Sequence, residues 1–250
     1  EGGGLSVLQG SVAILNRNRI QGNSAATVQT GLGGGLLVDN SDITLTGNQL
    51  ISNTATLNPG AAGGGGGLYA GVGTSITLTN NVVAGNQANT NADGLLFNGT
   101  SGEPTSGRLL HTTIADNFGS GRGVSVANFA TLALTNTIIA GHDGDGIWAG
   151  ASTTVTLQAT LWHDNGTDTD GLGQIVTGTV NVHGDPAFVD PSTWDYHLTS
   201  TSAAIDEAVD AGVPVDMDGQ SRPFGLGYDI GADEYVGWQI NLPLVLRGGY

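Results

Sequence analysis

The sequence predicts an all-β fold: a single-chain parallel β-helix, or solenoid, of about six to seven coils, with a C-terminal cap and an amphipathic tail strand. Three observations predict it. One phrase recurs six times, a glycine stretch followed by an apolar residue recurs with it, and after Asp185 the repeat gives way to a different text.

The phrase is a Leu, four residues, an apolar partner, two residues and a polar closer. Its Leu members are Leu15, Leu45, Leu78, Leu109, Leu134 and Leu157, and their partners are Ile20, Leu50, Val83, Ile114, Ile139 and Trp162. The closers Asn23, Asn53, Asn86, Asn117, His142 and Asn165 are 30, 33, 31, 25 and 23 residues apart. Unit length drifts while the phrase does not, as when variable turns link fixed strands.

Two residues before each Leu stands Ala13, Ile43, Ile76, Gly107, Leu132 or Val155, a period of two that marks a strand with one buried face. The odd gap of five from Leu to partner cannot keep both on one face of a continuous strand, so a bend intervenes. Asn18, Asn48, Asn81, Thr112, Thr137 and Thr160 fall at that bend, and the closers at the next corner. Stacked small polar residues can hydrogen-bond along the axis, so both columns are expected to form ladders. The glycine stretches ending at Gly4, Gly35, Gly67, Gly94, Gly123 and Gly146 read as the remaining turn, feeding a third strand.

Composition narrows the setting. The 250 residues include 43 Gly, 38% apolar residues and no Cys, so the chain can bury a core but uses no disulfide. There is no Lys, and six Arg against 22 acids give a charge of −16, which disfavours nucleic acid and anionic membranes. The chain starts at Glu1, inside a repeat and without a signal peptide, as expected of a processed or trimmed form. Domain boundaries are expected at 1–184 for the coils, 185–235 for the cap and 236–250 for the tail.

After the coils come Asp185-Pro186-Ala187-Phe188-Val189-Asp190, Asp195-Tyr196-His197-Leu198, Ser202-Ala203-Ala204-Ile205-Asp206, Asp216-Met217-Asp218-Gly219, Arg222-Pro223 and Asp229-Ile230-Gly231-Ala232-Asp233-Glu234. This succession resembles the C-terminal module of bacterial surface proteins called choice-of-anchor Q, departing from it at Ala203 and Asp233. The resemblance covers about fifty residues closely. It implies a right-handed parallel β-helix, a secreted or cell-surface location and no catalytic residue set.

Candidate chemistry is sparse. Asp216-x-Asp218-Gly219 resembles the opening of a calcium loop, but no Glu stands at the distance an EF-hand needs, so a turn held by Asp side chains is the expected reading and calcium the alternative. Asp143, Asp145 and Asp168 form a second candidate calcium set within an acidic stretch; no other cofactor is expected. As possible catalytic groups, Asp116, His111 and Arg108 share one coil, followed by His142, His163, Asp164 and Asp170. Asp116 and Asp164 share a column two coils apart, roughly 9–10 Å, at the outer limit for an inverting carboxylate pair. Gly141-His142 lacks the companion phrases of polygalacturonases, so the expected function is structural or adhesive, with a carbohydrate-active or glycan-binding β-helix as the alternative.

In the tail, Trp238, Ile240, Leu242, Leu244 and Leu246 alternate with mixed residues, a strand pattern too short for a membrane span. An open first coil carrying Leu5, Val7 and Leu8 is its candidate partner. Head-to-tail self-association by strand addition is therefore one expectation, docking within its own chain the other, and surface glycans are the other candidate partners.

Overall fold

A computed structural model describes residues 2–27, 29–58, 60–61, 63–119 and 121–237. The tail residues Trp238, Ile240, Leu242, Leu244 and Leu246 lie outside the described residues.

Seven coils stack. The first sheet consists of Leu5–Leu8, Leu36–Asp39, Leu68–Ala70, Leu95–Asn98, Val124–Ala127, Asp145–Ala149 and Thr167–Gly171, in that order and all parallel. The second runs from Val12–Asn16 through Asp42–Thr46, Ser75–Thr79 and Ser106–Leu110 to Gln174–Thr177. The third runs from Arg19–Gln21 through Gln49–Ile51, Val82–Ala84 and Thr113–Ala115 to Asn181–His183. In the fifth and sixth coils the second and third strands are one, Thr131–Ala140 and Thr154–His163, so the bend lies within the strand.

Register follows the sequence columns. Leu15, Leu45, Leu78, Leu109, Leu134 and Leu157 are successive neighbours, as are Ile20, Leu50, Val83, Ile114, Ile139 and Trp162. Apart from Ile20 in the first coil, both columns belong to the central core or pack against it, each fully buried side chain contributing on the order of 1.5–3 kcal/mol. Where the inward column falls to Gly107, the ring of Phe97 and the side chain of Leu132 fill the space a Cβ would need.

The two polar columns differ. At the bend, Asn18 Nδ2 donates to Asn48 Oδ1 (3.0 Å) and Asn48 Nδ2 to Asn81 Oδ1 (3.1 Å). The ladder then stops, because Thr112 and Thr137 donate instead to carbonyls two residues earlier in their own coils. A Thr hydroxyl is too short to span the ~4.8 Å between coils, so the expectation of a six-member bend ladder is corrected to three. The closing column continues from Asn23 to Asn165 without a break.

The expected end cap is also corrected. In the last coil most inward columns turn polar or small: Thr169 follows Ile147, Gly171 follows Ala149, Thr177 follows Leu157 and His183 follows Trp162, while Ile175 follows Val155. Among the described residues that coil is the last of the stack. The segment after it folds back along the outer face of the third sheet, where Leu198, Ala204 and Ile230 pack on Ile138, Ala140 and Leu161. Further along, Tyr196 and Ala232 pack on Ile51, Val82, Ala84 and Ala115. The module is a flank, and the cause is the apolar outer face of the third sheet, which needs cover more than the polar last coil does.

Candidate functional site

Two corner columns take left-handed backbone. Before the bend stand Arg17, Gly47, Asn80, His111, Asn136 and Ala159, and before the closers Gly22, Ser52, Gly85, Asp116, Gly141 and Asp164, all at positive φ. Asn, Asp and Gly tolerate that region best, so a carboxylate at 116 or 164 has a backbone reason to be there. Between them Gly141 is required twice: its φ is +70°, and a Cβ would strike Asp116 Oδ1.

The module roofs this second corner. Asp116, His163 and Asp164 from the coils, with Asp185, Pro186, Phe188 and Pro191 from the module, line a cleft of about 300 Å³. The Tyr196 hydroxyl donates to Asp116 Oδ2 (2.8 Å), its ring meets Phe188 edge-on, and His163 Nε2 stands 3.7 Å from Asp185. Burial raises the Asp116 pKa and the Asp164 charge adds to the rise, opposed by the tyrosine bond and by His163. The same burial and the Asp116 charge push the Tyr196 phenol up. The result is an acidic cleft in which one carboxyl, Asp116, is pushed up from its ordinary value.

The other sequence candidates are dispersed. Arg108 is exposed on the second sheet, whereas His111 is buried at the first corner. His111 Nδ1 donates to the Asp229 carbonyl (3.2 Å) and Nε2 accepts from Asn136 Nδ2 (2.8 Å), which fixes one neutral tautomer. Burial and the Arg222 charge lower its pKa to about 3. His142 is held alike: Nε2 accepts from Asn117 Nδ2 (3.3 Å) and Nδ1 donates to Asn165 Oδ1 (2.9 Å), the donor-to-acceptor direction of the asparagines around it. Burial lowers its pKa to about 4. It is a ladder member, unsuited to proton transfer.

The calcium candidates fare differently. Asp216 Oδ1 accepts the backbone N–H groups of Asp218, Gly219 and Gln220, and Oδ2 that of Glu234. That arrangement is a buried turn anchor. Asp145 is engaged by Arg122 (3.1 Å) and Asp168 by His183 (2.8 Å), while Asp143 is exposed. Among the described residues, the group whose ligand atoms lie within 4.8 Å of one another is His197, Asp218 and Asp233. His197 donates toward Asp195 (2.5 Å) and Asp218 (2.6 Å). Burial alone lowers its pKa, but these carboxylates outweigh it and raise the value to about 9, so the imidazolium already supplies the cation.

Missed by sequence reasoning is the module's charged core. Arg222 and Glu234 are fully buried and 2.6 Å apart. Arg222 also donates to the Asp229 and Gly231 carbonyls, and Glu234 accepts from the backbone of Phe224 and Asp229. Burial raises Asp229 to about 7 and Asp233 to about 6, though each accepts backbone N–H groups. Its signal in the sequence is the ordered run of Asp, Arg and Glu motifs in 206–234, whose residues serve the module's own fold.

No helix among the described residues is long and apolar enough to cross a membrane. Neither the curated proteins nor the solved structures offer a match to this chain. A family model described as a right-handed β-helix region matches residues 1–158. With seven parallel coils around one apolar core, the chain belongs to the right-handed β-helix family.

Proposed function

We propose that the protein is an extracellular structural or adhesive rod of a bacterial surface or matrix, able to join head to tail. The observation that carries this reading is the inequality of the two ends of the stack. The last coil turns mostly polar or small inward residues toward its end, whereas the first keeps Leu5, Leu15 and Ile20 around a hollow of about 340 Å³. Leu8, on the same strand, is exposed. Among the described residues, Asn18 Oδ1 and Asn23 Oδ1 lack the ladder donor that each later Asn receives from the coil before it. A strand laid against the first coil would supply those donors, and the alternating Trp238–Leu246 pattern is suited to provide one from a neighbouring molecule. The resemblance of 185–235 to choice-of-anchor Q supports the surface location. Electron micrographs of the purified protein test the reading: linear polymers are expected, lost on deleting 237–250 while β circular dichroism persists. Isolated particles at all concentrations, or polymers indifferent to the deletion, overturn it.

A carbohydrate-active reading rests on the Asp116 cleft, where a carboxyl with a raised pKa and Asp164 of the same column line one hollow. Release of reducing or unsaturated sugars from polysaccharide, abolished in both Asp116→Asn and Asp164→Asn, is the result it requires.

A further inference from the structure

The outer face of the first sheet carries a hollow unlike the Asp116 cleft. Along it Leu37, Tyr69, Leu96, Ser125 and Trp148 form one column, one residue per coil. Beside Tyr69 lies a depression of about 210 Å³ lined by Leu32, Tyr69, Leu96, Asn98 and Asn128, among others. It is smaller than the ~300–1,000 Å³ typical of sites enclosing drug-sized ligands, and suits a single ring.

We propose that this hollow binds one ring of a neutral saccharide, with Tyr69 as the stacking platform and the Asn98 and Asn128 amides as hydroxyl partners. The proposal rests on the adhesive reading above and names its ligand class. Tyr69 lies across Gly71, where a Cβ would come within 3.0 Å of the ring, so the phenol rests against the strand. Asn128 Nδ2 donates to Asn98 Oδ1 (2.8 Å), and Asn98 Nδ2 donates to the Tyr69 hydroxyl (3.2 Å). This chain fixes the phenol and leaves its own O–H free to donate outward. An apolar ring face bordered by oriented neutral donors and acceptors matches a sugar, which has C–H groups on one side and hydroxyls at its rim.

Charge selects among sugars. The lining contains no Asp, Glu, Lys or Arg, in a chain of net charge −16. The phenol pKa is raised by burial and also by the charge of Asp39, which lies outside the lining and whose field disfavours uronates. Trp148 shares the column, but the Arg122 guanidinium covers its ring at 4.6 Å and is itself held by Asp145. Binding is therefore centred on Tyr69.

Titration of the intact protein with cellohexaose, maltohexaose and chitohexaose, with polygalacturonate as the anionic comparison, tests the proposal by saturation-transfer NMR. At least one neutral oligomer is expected to bind with a Kd on the order of 1 mM or tighter, and polygalacturonate more weakly. Tyr69→Ala should weaken binding by about tenfold and Tyr69→Phe by much less, since stacking is retained. Should Tyr69→Ala fail to fold, Asn128→Ala at its exposed turn is expected to weaken binding instead. Absence of saturable neutral binding, equal binding of polygalacturonate, or indifference to both Tyr69→Ala and Asn128→Ala overturns the proposal. Polymers without sugar binding would sink only this inference; sugar binding without polymers would sink only the head-to-tail reading.

Discussion

Along the closing ladder of the coil stack the buried polar groups are neutral and repeat from coil to coil: Asn53, Asn86 and Asn117 each give one amide hydrogen to the next coil, while the buried Asp93, which accepts the backbone N–H groups of Ala88, Gly121 and Arg122, stands outside that ladder. In the flanking module the buried polar groups are charged and occur once, with Arg222 clasped between Glu234 and two carbonyls and with Asp216, Asp229 and Asp233 capping backbone N–H groups. A repeat can spread its polar cost over identical neutral links, whereas a single non-repeating layer needs strong, directional pairs to fix one arrangement. The contrast predicts how each region fails.

The largest effect is expected from Leu109→Asp, which places an unpaired charge at a fully buried position in the middle of the stack. Loss of the cooperative melting transition should follow, and an unchanged melting temperature contradicts the register. Next is Arg222→Met, which strands Glu234 without its partner and should cost about 3–5 kcal/mol. Limited proteolysis should then cut within 185–235 while the coils stay resistant; uniform cleavage of both regions argues against separate modes of support. Asn86→Ala removes one ladder rung and leaves Asn53 and Asn117 partners short, at about 1–3 kcal/mol per unsatisfied group, measurable by urea denaturation.

Smaller effects depend on pH, and their signs oppose one another. His142 has a folded pKa of about 4, below the ordinary value of 6.5, so the unfolded chain binds more protons in between. The stack therefore loses stability as pH falls from about 6.5 to about 4, because a protonated Nε2 cannot accept from Asn117. His142→Asn should remove that loss and preserve the ladder. Asp229 and Asp233, at about 7 and about 6, bind protons in the folded module before an unfolded Asp does, so the module gains stability as pH falls through the same range. His197, raised to about 9, adds stability that is complete below about 6.5 and lost as pH rises to about 9, an effect reduced by its partial exposure. His197→Gln should flatten the alkaline limb only.

Much of the stack was legible because each error of register would have been repeated six times. The Leu and Ile columns, the closers and the shared position of Asp116 and Asp164 all follow from counting. The module's place did not follow, since periodicity describes neighbours one coil apart, and residues such as Tyr196 and Asp116 meet across 80 positions. One sign of it was visible: Val82-Val83-Ala84 and Ile138-Ile139-Ala140 are continuous apolar triplets, which mark strands buried on both faces. The acidic cleft was half legible for the same reason. Its coil side lies in a column, whereas Asp185 and Phe188 arrive only when the module folds back.

Hydrogen exchange followed by mass spectrometry at pH 5, 7 and 9, corrected for the intrinsic exchange rate, tests most directly whether the two regions are held by different chemistry. The account predicts that protection in 185–235 falls at pH 9 while the coil strands between 36 and 140 keep theirs, and that at pH 5 the loss moves to the corner around His142. Parallel loss of protection in both regions at both extremes would contradict it.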